Sequence, residues 1–123
     1  MATVYTTVGK QKVVDYIDNT DAGGLSATTA WIAWGTGAGT AVVGDTTLFT
    51  EASESRVNPV ISQPAADKNQ WVATLTANAG KTITNGGLFD ASTAGNLIIK
   101  GDFTGIVLAT GDKIEFTMTL QQT

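Results

Sequence analysis

The chain holds few residues that could do chemistry at neutral pH, because it has neither histidine nor cysteine. This composition excludes histidine general bases, cysteine nucleophiles and the commonest zinc ligands. Carboxylates and lysines remain, and their densest charged cluster is Asp45, Glu51, Glu54 and Arg56. Carboxylate pairs serve glycosidases, but an ion pair or hydrogen bond from Arg56 to Glu51 is the favoured interpretation. We therefore predict that the protein is not an enzyme and uses no cofactor.

Two glycine motifs approach the pattern of phosphate-binding loops without matching it. Gly35, Gly37 and Gly39 lie close together, but the dinucleotide fingerprint G-x-G-x-x-G needs its third glycine one position later. Gly80-Lys81-Thr82 ends like a P-loop, yet Leu75 stands where the leading glycine belongs. We expect a loop at the first motif, whose glycines would turn at positive φ, and a hairpin turn at the second.

Three aspartates spaced three residues apart, Asp15, Asp18 and Asp21, could lie on one face of a helix. A calcium-binding EF-hand loop needs oxygen ligands two residues apart and a distal glutamate, and this spacing provides neither. A solvated helix face followed by a turn is the favoured interpretation. We predict no metal site.

The chain is acidic, with a net charge of −4, and its seven basic residues are scattered. Nucleic acid and anionic membrane surfaces repel such a protein, so we expect neither as a partner. No segment approaches the roughly 18 apolar residues of a membrane span.

Strand signals dominate the second half of the chain. From Lys113 to Gln121 apolar and polar residues alternate, which predicts a half-buried strand. Shorter strands are predicted over residues 96–103, 71–77 and 81–84, with a turn at 85–87 and a separate apolar run at 106–108. Residues 57–62 contain Pro59, which favours an edge strand or a bulge. Short connections predict an antiparallel all-β domain, a β-sandwich or jelly-roll-like fold.

The N-terminal part has a different pattern. Val13, Val14 and Ile17 form a stripe that predicts a short helix over Gly9 to Asp18, with an irregular arm or strand as the alternative. We expect residues 1–29 to form this arm or helix and residues 30–123 the β-sandwich, as one folding unit.

The segment from Trp31 to Trp34 is apolar on both faces, so it predicts either a core strand or a partner surface. Core packing is the favoured interpretation. Trp31, Trp34 and Trp71 could also stack on sugars, as in a carbohydrate-binding module. The candidate interface residues are Val4, Tyr5, Val13, Tyr16, Trp31 and Trp34.

Residues 30 to 121 resemble a group of small bacteriophage virion proteins. The resemblance rests on the apolar strand and G-T-G loop of residues 31–37, on Asp45-Thr46-Thr47-Leu48, and on Glu51 and Arg56. It continues through Ile83-Thr84-Asn85-Gly86-Gly87-Leu88-Phe89-Asp90-Ala91, then Gly95-Asn96-Leu97, Phe103 and Gly111-Asp112. The N-terminal residues 1–29 fall outside it.

The resemblance implies a β-sandwich that assembles on the phage particle and has no catalytic residues. A capsid decoration (cement) protein, a homotrimer that binds the major capsid protein across capsid subunits, is the first expectation. A tail or fibre subunit is the alternative, and in both cases the protein would be assembled in the bacterial host cytoplasm into the virion. We expect Asp45 to cap the segment that carries Leu48, as part of a structural loop formed by Gly35, Gly37, Gly39, Asp45, Leu48, Glu51 and Arg56.

Overall fold

A computed structural model describes residues 2–17 and 24–122, and confirms a mostly antiparallel all-β domain with one short N-terminal helix. The described residues form seven strands and one helix. In chain order these are β1 (Thr3–Tyr5), α1 (Thr7–Ile17), β2 (Trp31–Gly35), β3 (Val60–Ala65), β4 (Lys68–Thr76), β5 (Lys81–Phe89), β6 (Leu97–Leu108) and β7 (Lys113–Gln121).

The strands form two sheets that enclose the core, as predicted for a sandwich. One sheet has the order β1-β6-β5-β2 and the other β3-β4-β7, and every neighbouring pair is antiparallel. Side chains from both sheets meet in the main hydrophobic cluster, where Trp34 of β2 meets Phe116 of β7 edge-on with ring centroids 6.4 Å apart. This contact ties the two sheets together near the middle of the domain.

Strand β7 has the bounds predicted from its alternation. Phe116, Met118 and Leu120 are buried, Ile114 is half-buried, and the intervening polar residues are exposed. The period of two in the sequence therefore corresponds to one face on the core and one face in water.

The turn predicted at Asn85-Gly86-Gly87 is wrong, because β5 runs straight through these residues. A Cβ at Gly86 would lie 2.6 Å from Cε1 of Phe116, and one at Gly87 would lie 2.8 Å from Cδ1 of Leu97. The glycines are therefore places where packed side chains approach the strand closely, which is a recognised use of glycine within sheets.

The predicted separation of residues 96–103 from the apolar run at 106–108 is also wrong, since one strand, β6, runs from Leu97 to Leu108. The pairing with β5 shifts between Ile83 and Asn85, so β6 has extra residues there and remains continuous. Beyond this irregularity, Ile106 and Val107 are 43% and 80% exposed.

The N-terminal segment is joined to the sheet by β1, which pairs with residues 99–101 of β6. Thr6 is fully buried, and its hydroxyl donates to the carbonyl oxygen of Leu97 at 2.5 Å and accepts the N–H of Gly9 at 2.9 Å. The helix predicted over Gly9 to Asp18 is present as α1. Val13 packs against the core, but Val14 of the predicted apolar stripe is 54% exposed.

The two edge strands of the three-stranded sheet, β3 and β7, differ in proline content and regularity. Strand β3 is an edge strand, as predicted, but its internal proline is Pro64 and it begins after Pro59; an irregular register between Ser62 and Ala65 accompanies the proline. Among the described strands, β7 pairs with β4 alone, and it contains neither proline nor a register shift. No helix within the described residues is long and apolar enough to span a membrane.

Candidate functional site

An open cleft of about 500 Å³, lined mostly by polar residues, lies at one edge of the β1-β6-β5-β2 sheet. The segment from Glu51 to Arg56 forms one wall and Ser92 to Ala94 the other, with Trp31 of β2 beside them. The charged cluster singled out in the sequence therefore contributes to a concave surface, except for Asp45, which lies elsewhere.

The first wall exists because an irregular segment covers the outer edge of β2. The N–H of Ile32 donates to the carbonyl of Val57 at 2.8 Å, and the N–H of Ala52 donates to the carbonyl of Trp34 at 2.9 Å. Between these contacts the chain departs from strand geometry. This departure opens the space that becomes the cleft.

Arg56 joins the two walls. Its Nε and Nη2 donate to the two carboxylate oxygens of Glu51, each at 2.8 Å, so the predicted pairing of these residues is present. Its Nη1 donates to the carbonyl oxygens of Ala91 and Ala94 at 2.8 and 2.9 Å, and its guanidinium lies 3.6 Å from the ring centroid of Phe89. Arg56 is only 9% exposed, so this arrangement fixes both walls from within.

Glu54 is the second fixed point of the cleft. Its carboxylate accepts hydrogen bonds from the indole Nε1 of Trp34 at 3.0 Å and the N–H of Asn78 at 2.9 Å, and it pairs with Nζ of Lys81. Burial is the largest single influence and raises the pKa of Glu54, but the hydrogen bonds together outweigh it and lower this pKa to about 2. The carboxylate is thus ionised across the neutral range and is engaged by its three donors, Trp34, Asn78 and Lys81.

The predicted capping role of Asp45 is wrong. Its Oδ2 accepts the N–H of Val42 at 3.1 Å and Nζ of Lys100 at 2.9 Å. Lys100 is 1% exposed, and its ammonium also donates to the carbonyl of Thr47 and lies 3.3 Å from the ring centroid of Phe49. Asp45 therefore neutralises a buried lysine; burial raises the pKa of Asp45 most, yet these hydrogen bonds and the lysine charge leave it lowered.

The predicted positive φ of the glycine motif is wrong for Gly35 and Gly37, although Gly39 has a φ of 157°. A Cβ at Gly35 would lie 2.5 Å from the carbonyl oxygen of Phe49. A Cβ at Gly37 would lie 2.8 Å from the carbonyl carbon of the same residue. Their role is close approach of two chain segments. Leu48, the apolar residue of the predicted structural loop, is buried at 5% exposure.

The candidate interface residues are only partly available at the surface. Val4 and Tyr5 are half-buried in β1, and Val13 and Tyr16 are half-buried on α1. Trp34 is 1% exposed, which agrees with the favoured core interpretation of its segment and removes it from any surface.

The tryptophans separate into two classes. Trp34 and Trp71 are buried, and their indole N–H groups donate to Glu54 and to the carbonyl of Leu25. Trp31 is half-buried and lines the cleft. Sequence reasoning named Trp31 but missed the hydroxyl-bearing residues around it, because serine and threonine are too common in this chain to mark a site; they are Ser53, Ser55, Ser92 and Thr93.

No group of three potential metal ligands occurs among residues 2–17 and 24–122. Of the aspartates considered for calcium, Asp15 lies on α1, where it accepts a hydrogen bond from Gln11 at 2.9 Å, and Asp18 and Asp21 lie outside the described residues. Comparison of the chain with models of known protein families and with curated proteins finds no match.

Proposed function

We propose that the protein is a structural component of a bacteriophage particle, first as a capsid decoration protein that binds across subunits of the major capsid protein. The proposal starts from the resemblance of residues 30–121 to small virion proteins. It assigns the protein a binding role without catalysis.

The observation that carries the proposal is that the resembling motifs form one connected framework. Asn85 exchanges hydrogen bonds with the backbone N–H and carbonyl of Phe49, at 3.0 and 3.1 Å. Arg56 holds Glu51, and Asp90 accepts two hydrogen bonds from Asn96 at 2.7 and 2.9 Å. Because these motifs stabilise the same loops around one core, their shared pattern supports a shared fold with the virion proteins.

Surface composition is compatible with docking onto a protein lattice. Only 15% of the residues are charged, and Val60 and Val107 on two strands are 74% and 80% exposed. Burying such area between subunits contributes about 25 cal/mol per Å² before association costs, so contact with several capsid subunits would stabilise a head against internal pressure.

The decisive experiment is immunogold labelling of intact phage particles produced by the strain that encodes the chain. Labelled heads are the expected result, and labelled tails would replace decoration by the tail or fibre alternative. Particles without label, in a preparation where the antibody detects the purified protein, would overturn the proposal.

The proposed oligomer is a homotrimer, whose closed threefold symmetry would match a threefold site where capsid subunits meet. Light scattering of the purified chain measures this directly. A mass of three chains is expected, whereas a stable monomer would restrict assembly to the particle surface and contradict a preformed trimer.

A further inference from the structure

We propose that the cleft between residues 51–56 and 92–94 binds a neutral saccharide, with Trp31 as its stacking surface. The volume of about 500 Å³ falls within the range of about 300–1,000 Å³ typical of small-molecule sites. This activity is additional to the proposed role in a phage particle and does not depend on it.

Trp31 supplies the apolar wall. Its backbone pairs with Phe89 in the β2–β5 ladder, and its side chain packs against the cluster of Ala33, Leu48, Phe89 and Leu97. The indole is thereby held on one side by the core while the other side contributes to the cleft. A fixed aromatic surface of this kind suits the apolar C–H face of a sugar ring, because it offers large contact area with little conformational freedom to lose.

Hydroxyl groups and a carboxylate supply the polar side. Within the part of the chain that the structure describes, the side chains of Ser55, Ser92 and Thr93 are exposed and make no hydrogen bond to protein. Glu51 is held at both oxygens by Arg56 while its side chain stays 34% exposed, so its remaining lone pairs face solvent. These groups are donors and acceptors for sugar hydroxyls.

Charge in the cleft favours a neutral ligand over an anionic one. Arg56 is the one cation among the lining residues, and it is already committed to Glu51 and two carbonyl oxygens. Glu54 is ionised and committed to its own three donors. An anion would therefore meet two carboxylates without a free positive partner, whereas a neutral polyhydroxylated ring would not.

The walls are also fixed before any ligand arrives. Arg56 spans from Glu51 to the carbonyls of Ala91 and Ala94, and so joins segments that are 35 or more residues apart in the chain. A site fixed in this way spends little binding free energy on ordering its own loops.

The test is an NMR titration of the ¹⁵N-labelled full chain with lactose, maltotriose, cellotriose, mannotriose and tri-N-acetylchitotriose, each to about 10 mM, which detects dissociation constants of about 1 mM or tighter. At least one saccharide should shift the Trp31 indole N–H signal and the amide signals of residues 51–56 and 92–94. Trp31→Ala should weaken that binding by at least about tenfold, while Trp31→Phe, which keeps an aromatic ring, should lose less.

Thr93→Ala should weaken binding by about two- to fivefold through loss of one neutral hydrogen bond, whereas the matched control Thr119→Ala, at an exposed position of β7, should bind like the parent. Folding of each variant is checked by its amide spectrum, and Thr93→Ala keeps the test valid if Trp31→Ala does not fold. No shift with any of the five saccharides, shifts confined to another surface, or tighter binding of sialyllactose than of lactose would each overturn the proposal.

Discussion

At the scale of single residues, two buried cations, Arg56 and Lys100, hold loops of this protein in place. Arg56 and Lys100 are 9% and 1% exposed. Each pairs with one carboxylate, donates to backbone carbonyl oxygen and lies over an aromatic ring. Such groups are costly to bury unless every donor is satisfied. In the described residues no buried side-chain nitrogen or oxygen lacks a partner, so these cations fix loops at little uncompensated cost.

Loss of the guanidinium hydrogen bonds of Arg56 should destabilise the domain substantially. Arg56→Lys keeps the charge but cannot hold both oxygens of Glu51 and two carbonyls at once, and we expect a loss of about 2–3 kcal/mol in the free energy of unfolding. Urea denaturation measures this loss. Lys68→Arg on β4 serves as the control and should change stability by less than about 0.5 kcal/mol; an equally small effect at Arg56 would contradict the role assigned to it.

Glu54 should make the free energy of unfolding depend on pH in the acidic range. Its pKa is lowered to about 2 in the folded state from 4.5, so its contribution is fully present above about pH 4.5 and is lost as the pH falls towards 2. Glu54→Gln should therefore cost about 1–3 kcal/mol at neutral pH, and the difference from the parent should shrink on acidification.

The comparison is made by urea denaturation at several pH values. Glu115→Gln, at an exposed glutamate on β7, is the matched control, and its effect should stay below about 0.5 kcal/mol. A difference between Glu54→Gln and the parent that stays constant down to about pH 2 would contradict the assignment.

At the scale of elements, two glycines within strand β5 allow close packing of the core. Gly86 and Gly87 lie in the middle of β5, where the ring of Phe116 and the side chains of Leu48 and Leu97 occupy the space that a Cβ would need. The absence of a side chain at Gly86 lets Phe116 of the other sheet approach β5 closely, and its absence at Gly87 makes room for Leu48 and Leu97.

Gly86→Ala should therefore cost about 1–3 kcal/mol, as expected for overpacking a filled core. Gly44→Ala is the matched control, since a Cβ there would meet nothing within 4 Å and its φ is not positive. Thermal unfolding should separate the two variants clearly, and Phe116→Leu combined with Gly86→Ala should recover part of the loss. Equal melting temperatures for the two single variants would refute the packing explanation.

These elements also show what the sequence could predict. The alternation of β7 and the stripe of α1 are local patterns, so both elements were found, and β7 had its correct bounds. The continuation of β5 through Asn85-Gly86-Gly87 depends on Phe116, some thirty residues away, which no local pattern contains. For the same reason the cleft escaped detection: Glu51 and Arg56 were paired correctly, but the opposing residues 92–94 come near them only through the fold.

At the scale of the whole molecule, the N-terminal strand is a structural part of the β domain. Strand β1 extends the four-stranded sheet beside β6, and Thr6 bonds to the carbonyls of Leu97 and Ile98. Helix α1 then packs against the same strand.

Removal of residues 1–6 should lower the free energy of unfolding by about 3 kcal/mol or more, because several strand hydrogen bonds and a buried threonine contact are lost together. Urea denaturation of the shortened chain, with Thr3→Ala at an exposed position of β1 as the control, provides the measurement. An unchanged midpoint for the shortened chain would mean that the arm is independent of the sandwich.

The pairing of β1 with β6 also determines when the protein can fold during its synthesis. Ala2 bonds to Asp102, which follows it by 100 residues in the chain, and β7 completes the second sheet later still. The ribosome must therefore release β6 before the first sheet can close and β7 before the second sheet can close, and contacts this distant in sequence are slow to form. A nascent chain would carry β1 without its partner strand until β6 emerges, and an unpaired strand edge can pair with other chains during that interval.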